Sequence, residues 1–106
     1  MEESEYHLKA DLELDRLLEF LEDLENHHDI SPELESGVLS IVMPDDKEYV
    51  INKHTPSRQI WVSSPYSGAS YFEYIDKGWH LKRATTEIEN KDLYNFITQE
   101  VKVKLD

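Results

Sequence analysis

The sequence predicts an α+β fold: a two-layer sandwich with an N-terminal and a C-terminal helix packed on one face of an antiparallel sheet of about six strands. Three observations predict it. Residues 4–26 carry a single apolar stripe at helical spacing. The middle of the chain alternates apolar and polar residues between short turns. Residues 92–105 carry a second helical stripe. Sequential strands joined by short turns are antiparallel. Two amphipathic helices bury their stripes most economically against one sheet face, which leaves the other to solvent. At 106 residues the chain is expected to be one domain, spanning 1–106, with a modest single core.

In the first helix Ala10, Leu14, Leu17, Leu18, Leu21 and Leu24 recur at spacings of three and four. Ser4 is expected to cap its first turn. Asn26-His27-His28-Asp29 ends it. Ser31-Pro32 leads into an extended segment, Glu33 to Ser36, closed by Gly37. Val38 to Met43 reads as a strand, stopped by Pro44-Asp45-Asp46. Residues 49–54 and 59–63 form a hairpin across Thr55-Pro56-Ser57-Arg58. Residues 70–76 and 79–83 are two further strands, turned by Lys77-Gly78. Asp92 to Leu105 closes the chain as a helix with Leu93, Phe96, Ile97 and Val101 inward. No repeat, low-complexity segment or linker interrupts this order.

Strand alternation places Ile51, Ile60 and Val62 toward the helices. Asn52, Gln59, Ser63 and Trp61 then face solvent. A tryptophan among Asn, Gln, His and Ser reads as an exposed contact residue rather than core.

Composition excludes several classes. With no cysteine there is no disulfide, zinc–thiolate site, iron–sulfur ligation by this chain or Cys nucleophile. No apolar run approaches the roughly 20 residues that span a bilayer, so no membrane partner is expected. The acidic start, Met-Glu-Glu-Ser-Glu, resembles neither a signal peptide nor an Arg-rich transit peptide. The chain is therefore expected either to be made without one or to have lost it. Residues 1–48 hold 16 Asp/Glu against Lys9, Arg16 and Lys47, a net of −13, whereas residues 49–106 are near neutral at +1. Nucleic acid is not an expected partner of so acidic a half; cations and basic protein surfaces are.

The charge concentrates on the first helix, at Asp11, Glu13, Asp15, Glu19, Glu22, Asp23 and Glu25, all taken as non-core positions. Asp15–Glu19 and Glu19–Asp23 are like-charge pairs at i,i+4, each destabilising a helix by about 0.2–0.5 kcal/mol. A solvated helix normally alternates signs. Clustered carboxylates suit hard cations at several weak, hydrated positions, and Glu33 and Glu35 extend the set if their strand lies beside the helix. An EF-hand cage is excluded by spacing. The plain alternative is a solubilising face. His27 and His28 are possible ligands, but they read more simply as polar loop residues. A di-iron enzyme would typically need Glu together with Glu-x-x-His motifs on facing helices. None is expected, because the closing helix has no His. No nucleophile elbow or Gly-rich loop is present.

The hairpin carries a resemblance. "YVINK" (49–53), "TP" (55–56), "QIW" (59–61), "SSP" (63–65) and "SG" (67–68) resemble the frataxin family, small acidic mitochondrial proteins whose bacterial relative is CyaY. "LLEFLEDLE" (17–25), "SGVL" (36–39), Gly78-Trp79 and the closing helix follow in the family order. The resemblance implies the same frataxin-like α+β sandwich. It implies ferrous or ferric iron bound weakly at several places on an acidic ridge, here Asp15, Glu19, Glu22, Asp23 and Glu33. It implies a role as iron chaperone and regulator in iron–sulfur cluster assembly, with docking on a cysteine desulfurase and scaffold protein. The matching contact positions are Asn52, Lys53, Gln59 and Trp61. Weak ferroxidase activity is implied by the resemblance only. A monomer that oligomerises with iron is expected. So is a mitochondrial matrix or a reduced mitochondrial organelle, with bacterial cytoplasm as the alternative. The chain departs from the pattern at His54, where Gln is common, at Ser57-Arg58 in place of Asn-Lys, and at Tyr71, near an Arg contact of some members.

Overall fold

A 23-residue helix, α1 (Glu3–Glu25), opens the chain in the computed structural model, which describes residues 1–106. Its N-cap is Glu2, whose side chain makes no capping bond, and Ser4 lies inside the first turn. Ser4 is therefore not the cap. Glu3 and Glu5 in that turn favour the positive end of the helix dipole instead. Tyr6, Ala10, Leu14, Leu17 and Leu21 are fully buried along one stripe. Leu18 and Leu24, at its margins, are half-buried.

Six strands follow: β1 (Ser31–Glu35), β2 (Val38–Val42), β3 (Glu48–His54), β4 (Gln59–Ser64), β5 (Gly68–Ile75) and β6 (Gly78–Ala84). They form one sheet in sequence order, each antiparallel to the next. Two of the turns are two-residue links with both residues at positive φ. They are Ser36–Gly37 (51° and 78°) and Asp76–Lys77 (51° and 66°). That geometry matches the right-handed twist of the flanking strands. The second turn thus falls one residue before the expected Lys77-Gly78, and Gly78 begins β6. Between β3 and β4 a short 3₁₀ turn, Thr55–Ser57, ends on Arg58 in the left-handed region (φ 56°). A bulge between Tyr71 and Phe72 shifts the β5–β6 register, pairing Tyr71 with Arg83 but Phe72 with Leu81. Lys82 is the extra residue.

Helix α2 (Leu93–Leu105) is capped by the Asp92 carboxylate, which accepts from the Asn95 amide at 2.9 Å. Leu93, Phe96, Ile97 and Val101 are buried as expected. Both helices cover one sheet face. There Leu39, Ile41, Tyr49, Ile51, Ile60, Val62 and Phe72 join the helix stripes in one core. Each such apolar side chain contributes about 1.5–3 kcal/mol by leaving water. The Tyr6 hydroxyl donates to the Gln59 carbonyl at 2.7 Å, tying α1 to β4. Neither helix is long and apolar enough to cross a membrane.

Candidate functional site: an acidic helix and an aromatic sheet face

On α1 the side chains of Asp15, Glu19, Glu22 and Asp23 are all exposed. None of them is in an ion pair. The pairs present join Glu3 to His7 and Arg58, Asp11 to Lys53, Glu13 to Arg16, and Glu73 to Lys82. Of the helix's two basic residues, Lys9 lies 5.6 Å over the Tyr74 ring, and Arg16, 3.7 Å over the Tyr94 ring, borders the carboxylates without pairing to Asp15, Glu19, Glu22 or Asp23. Glu19, Glu22, Asp23 and Glu25 line an open groove of about 750 Å³ with Arg16, Phe20 and Tyr94. No three His, Asp or Glu side chains converge to ligate one ion. The carboxylates form an open, hydrated field, not a cage.

Glu33 is not part of that field. Its strand does pack beside α1, but Leu34 pairs with the buried Leu39 and turns inward, while Glu33 pairs with Ser40 on the outer face. The alternation of a strand sends neighbours to opposite sides. Glu25 and His28 stand at the i,i+3 spacing of a di-iron motif. However, α1 ends at Glu25, so His28 lies in the following turn.

Glu13 was read as a surface position, and the structure buries it to 8% exposure. It sits at the edge of the core stripe, with Arg16 Nη1 at 3.4 Å from its Oε1. Burial pushes its carboxyl above the ordinary range, against the pull of Arg16 and with a further push from Asp92. The folded state therefore holds this proton more tightly than the unfolded chain, so Glu13 contributes less to stability as pH rises through its folded pKa. Glu13→Gln is expected to raise the melting temperature relative to the native chain at pH 7. The difference should shrink as pH falls through the raised folded pKa and be gone below about 4.5, the ordinary glutamate value. Parallel melting curves across this range test it. A lower melting temperature for the variant at pH 7 would show that the Arg16 pair outweighs desolvation.

The outer sheet face is built around Trp61, which is half-buried and not fully exposed as alternation alone predicts. Its indole stacks on His54 at 3.6 Å between ring centroids, nearly parallel at 11°. Its Nε1–H donates to Gln59 Oε1 at 2.9 Å, and its ring meets Tyr71 edge-on at 5.2 Å. Asn52 pairs with Trp61 across β3–β4, and its side-chain amide donates to the Lys53 carbonyl at 3.0 Å. Asn52, Gln59 and Trp61 therefore share one face. Lys53 does not share it. Its side chain, only 17% exposed, turns to the helix layer, where Nζ donates to Asp11 Oδ1 at 2.8 Å and lies 3.1 Å from His7 Nδ1.

Across the whole of residues 1–106 the chain matches a family model described as a frataxin-like domain. The chain belongs to the frataxin family. The mitochondrial frataxin homologue of Saccharomyces cerevisiae is 41% identical over 99 residues, covering 91% of this chain and 54% of that protein. Mitochondrial frataxin of Dictyostelium discoideum is 44% identical over 80 residues, 74% of this chain and 41% of that protein. The chain thus spans about half the length of these relatives. CyaY of Pseudoalteromonas atlantica, an iron–sulfur cluster assembly protein, is 34% identical over 87 residues, 82% of this chain and 78% of that one. A crystal structure of trimeric yeast frataxin complexed with ferrous superposes with a TM-score of 0.78 at 36% identity, covering 92% of this chain and 85% of the other. Frataxin from Psychromonas ingrahamii, at 18% identity and a TM-score of 0.73, shares the fold.

Within this frataxin fold, two features lay beyond the sequence reading. One is the company of Trp61. Alternation alone already sets His54 on the face of Asn52 and Trp61, but it does not show the ring stacking, the edge contact of Tyr71, or Arg83, 4.7 Å over the Tyr71 ring. The other is Glu100 on α2, which accepts from Tyr49 (2.8 Å), Ser64 (2.6 Å) and Ser67 (2.8 Å) on the sheet side. Burial and the Glu100 carboxylate together push the Tyr49 hydroxyl far above its usual pKa, so it stays a donor.

Proposed function

We propose that this chain serves iron–sulfur cluster assembly as an iron-binding regulator or chaperone. It binds iron weakly and at several points on α1. It docks on a cysteine desulfurase–scaffold complex through the outer sheet face around Asn52, Gln59 and Trp61. The observation that carries the reading is the separation of two surfaces. Carboxylates outside any ion pair lie on the helix layer, and a held aromatic group lies on the opposite face of the sheet. A protein so built can hold a cation on one side while a partner occupies the other. The ferrous-bound yeast structure and the assembly role of CyaY support the same reading. The mitochondrial relatives favour a mitochondrial matrix or reduced mitochondrial organelle, and CyaY favours bacterial cytoplasm as the alternative. Lys53 enters this account indirectly, by anchoring β3 to α1.

Two experiments test the two surfaces. In an anaerobic NMR titration, Fe²⁺ should first broaden amides from Asp15 to Asp23, with Glu33 responding later and separately. Glu19→Gln combined with Glu22→Gln should reduce that response. It should also raise the melting temperature at low ionic strength by removing like-charge repulsion worth about 0.2–0.5 kcal/mol per pair. A lower melting temperature, or a first response at His27 and His28, would contradict the ridge. For the sheet face, Trp61→Ala should weaken the desulfurase–scaffold complex by about 2 kcal/mol or more, as truncation of a central interface tryptophan does. Binding equal to that of the native chain would place the docking surface elsewhere.

A further inference from the structure

The outer face continues past Trp61 into a basic notch. Asn52, Trp61, Tyr71 and Arg83 are cross-strand partners in one straight row over β3, β4, β5 and β6. The Arg83 guanidinium lies 4.7 Å over the Tyr71 ring, and Tyr71 meets Trp61 edge-on at 5.2 Å. Gln59, Tyr71, Lys82 and Arg83 enclose a groove of about 240 Å³. Arg83 is in none of the ion pairs of the chain. Lys82 reaches only Glu73, at 3.9 Å. In a chain of net charge −12 an exposed arginine without a carboxylate is conspicuous.

We propose that this notch receives an aspartate or glutamate side chain of the protein that docks over Trp61. The inference rests on the docking reading above and adds the chemistry of the partner surface. A guanidinium laid on an aromatic face keeps its N–H edge free, and that edge matches a carboxylate with two parallel hydrogen bonds. The contact with the Tyr71 ring already restricts the arginine, so less side-chain freedom is lost on pairing. The bulge at Tyr71/Phe72 adds Lys82 beside it. The overall charge of −12 disfavours a polyanion here, whereas a single carboxylate meets the local field of Arg83 and Lys82, of which Glu73 offsets only the Lys82 part.

The test is the affinity of the full chain for the desulfurase–scaffold complex at low and high salt, for Arg83→Ala, Arg83→Lys, Arg83→Glu and Trp61→Ala, with melting temperatures beside each. Arg83→Ala should weaken binding about tenfold and flatten its salt dependence. Arg83→Glu should be weaker still. Arg83→Lys should restore the salt dependence but not the full affinity, because an ammonium lacks the planar fork. All three should melt like the native chain, since Arg83 is exposed. If Arg83→Glu binds as tightly as the native chain while Trp61→Ala weakens the complex, the notch holds no carboxylate and the docking face stands. If Trp61→Ala binds normally, the face itself is misassigned and the notch falls with it.

Discussion

Trp79→Ala is expected to destabilise the fold by about 3–5 kcal/mol, the loss typical of a buried aromatic truncated to alanine. Trp79 is 2% exposed. It packs edge-on against Tyr6 of α1 at 6.1 Å and Tyr74 of β5 at 5.4 Å. Its removal opens a void where the first helix meets the last hairpin. Domains of this kind have only about 5–15 kcal/mol of total stability, so the variant should lose a large share of it and melt many degrees below the native chain. Trp79→Phe should cost much less. The indole Nε1 is buried without an acceptor, and removing it removes an unmade hydrogen bond along with some packing. Urea unfolding of the two variants checks both statements. An alanine variant within about 1 kcal/mol of the native chain would show that the site collapses freely and that Trp79 is no keystone.

Glu100→Ala should cost about 2–4 kcal/mol, because buried hydroxyl donors left without an acceptor each carry a penalty of about 1–3 kcal/mol. Tyr49 is wholly buried and Ser64 is 6% exposed, so water cannot readily replace the carboxylate. The network joins α2 to β3, to the end of β4 and, through Ser67, to the β4–β5 loop. Ser64 Oγ in turn accepts the amides of Tyr66 and Ser67, so the loop depends on it. Combining Tyr49→Phe with Glu100→Ala should recover part of the loss, since one orphaned donor disappears with its partner. A double-mutant cycle by urea unfolding measures this coupling. Strict additivity would mean that the tyrosine and the carboxylate act independently.

The periodic parts of the fold were legible in the residues because burial follows period. Leu14, Leu17 and Leu21 mark one helix face, and Ile51, Ile60 and Val62 mark one sheet face; all are buried. The frataxin motif in the hairpin pointed to the same architecture. Where type and position disagreed, position won. Glu13 looked like surface because it is a carboxylate, yet it sits at the margin of the core stripe and is buried. Lys53 was grouped with Trp61 by resemblance, although alternation from Ile51 already turned it toward the helices. Glu33 was likewise separable from α1 by its neighbour Leu34. Glu100 with Tyr49 and the Tyr71–Arg83 pair were not legible, because they join residues whose meeting depends on tertiary register. The bulge that brings Lys82 beside Arg83 leaves no sign in composition.

On the proposed function, partner docking and iron occupy opposite layers of the molecule. Cross-saturation NMR on the labelled chain bound to the desulfurase–scaffold complex, recorded without and then with Fe²⁺, addresses it most directly. Transfer from the partner is expected at amides around Asn52, Gln59, Trp61, Tyr71 and Arg83 in both states. Amides from Asp15 to Asp23 should be unaffected until Fe²⁺ is added and should then broaden. Transfer confined to α1, with β3 to β6 silent and Fe²⁺ displacing the partner, would contradict it.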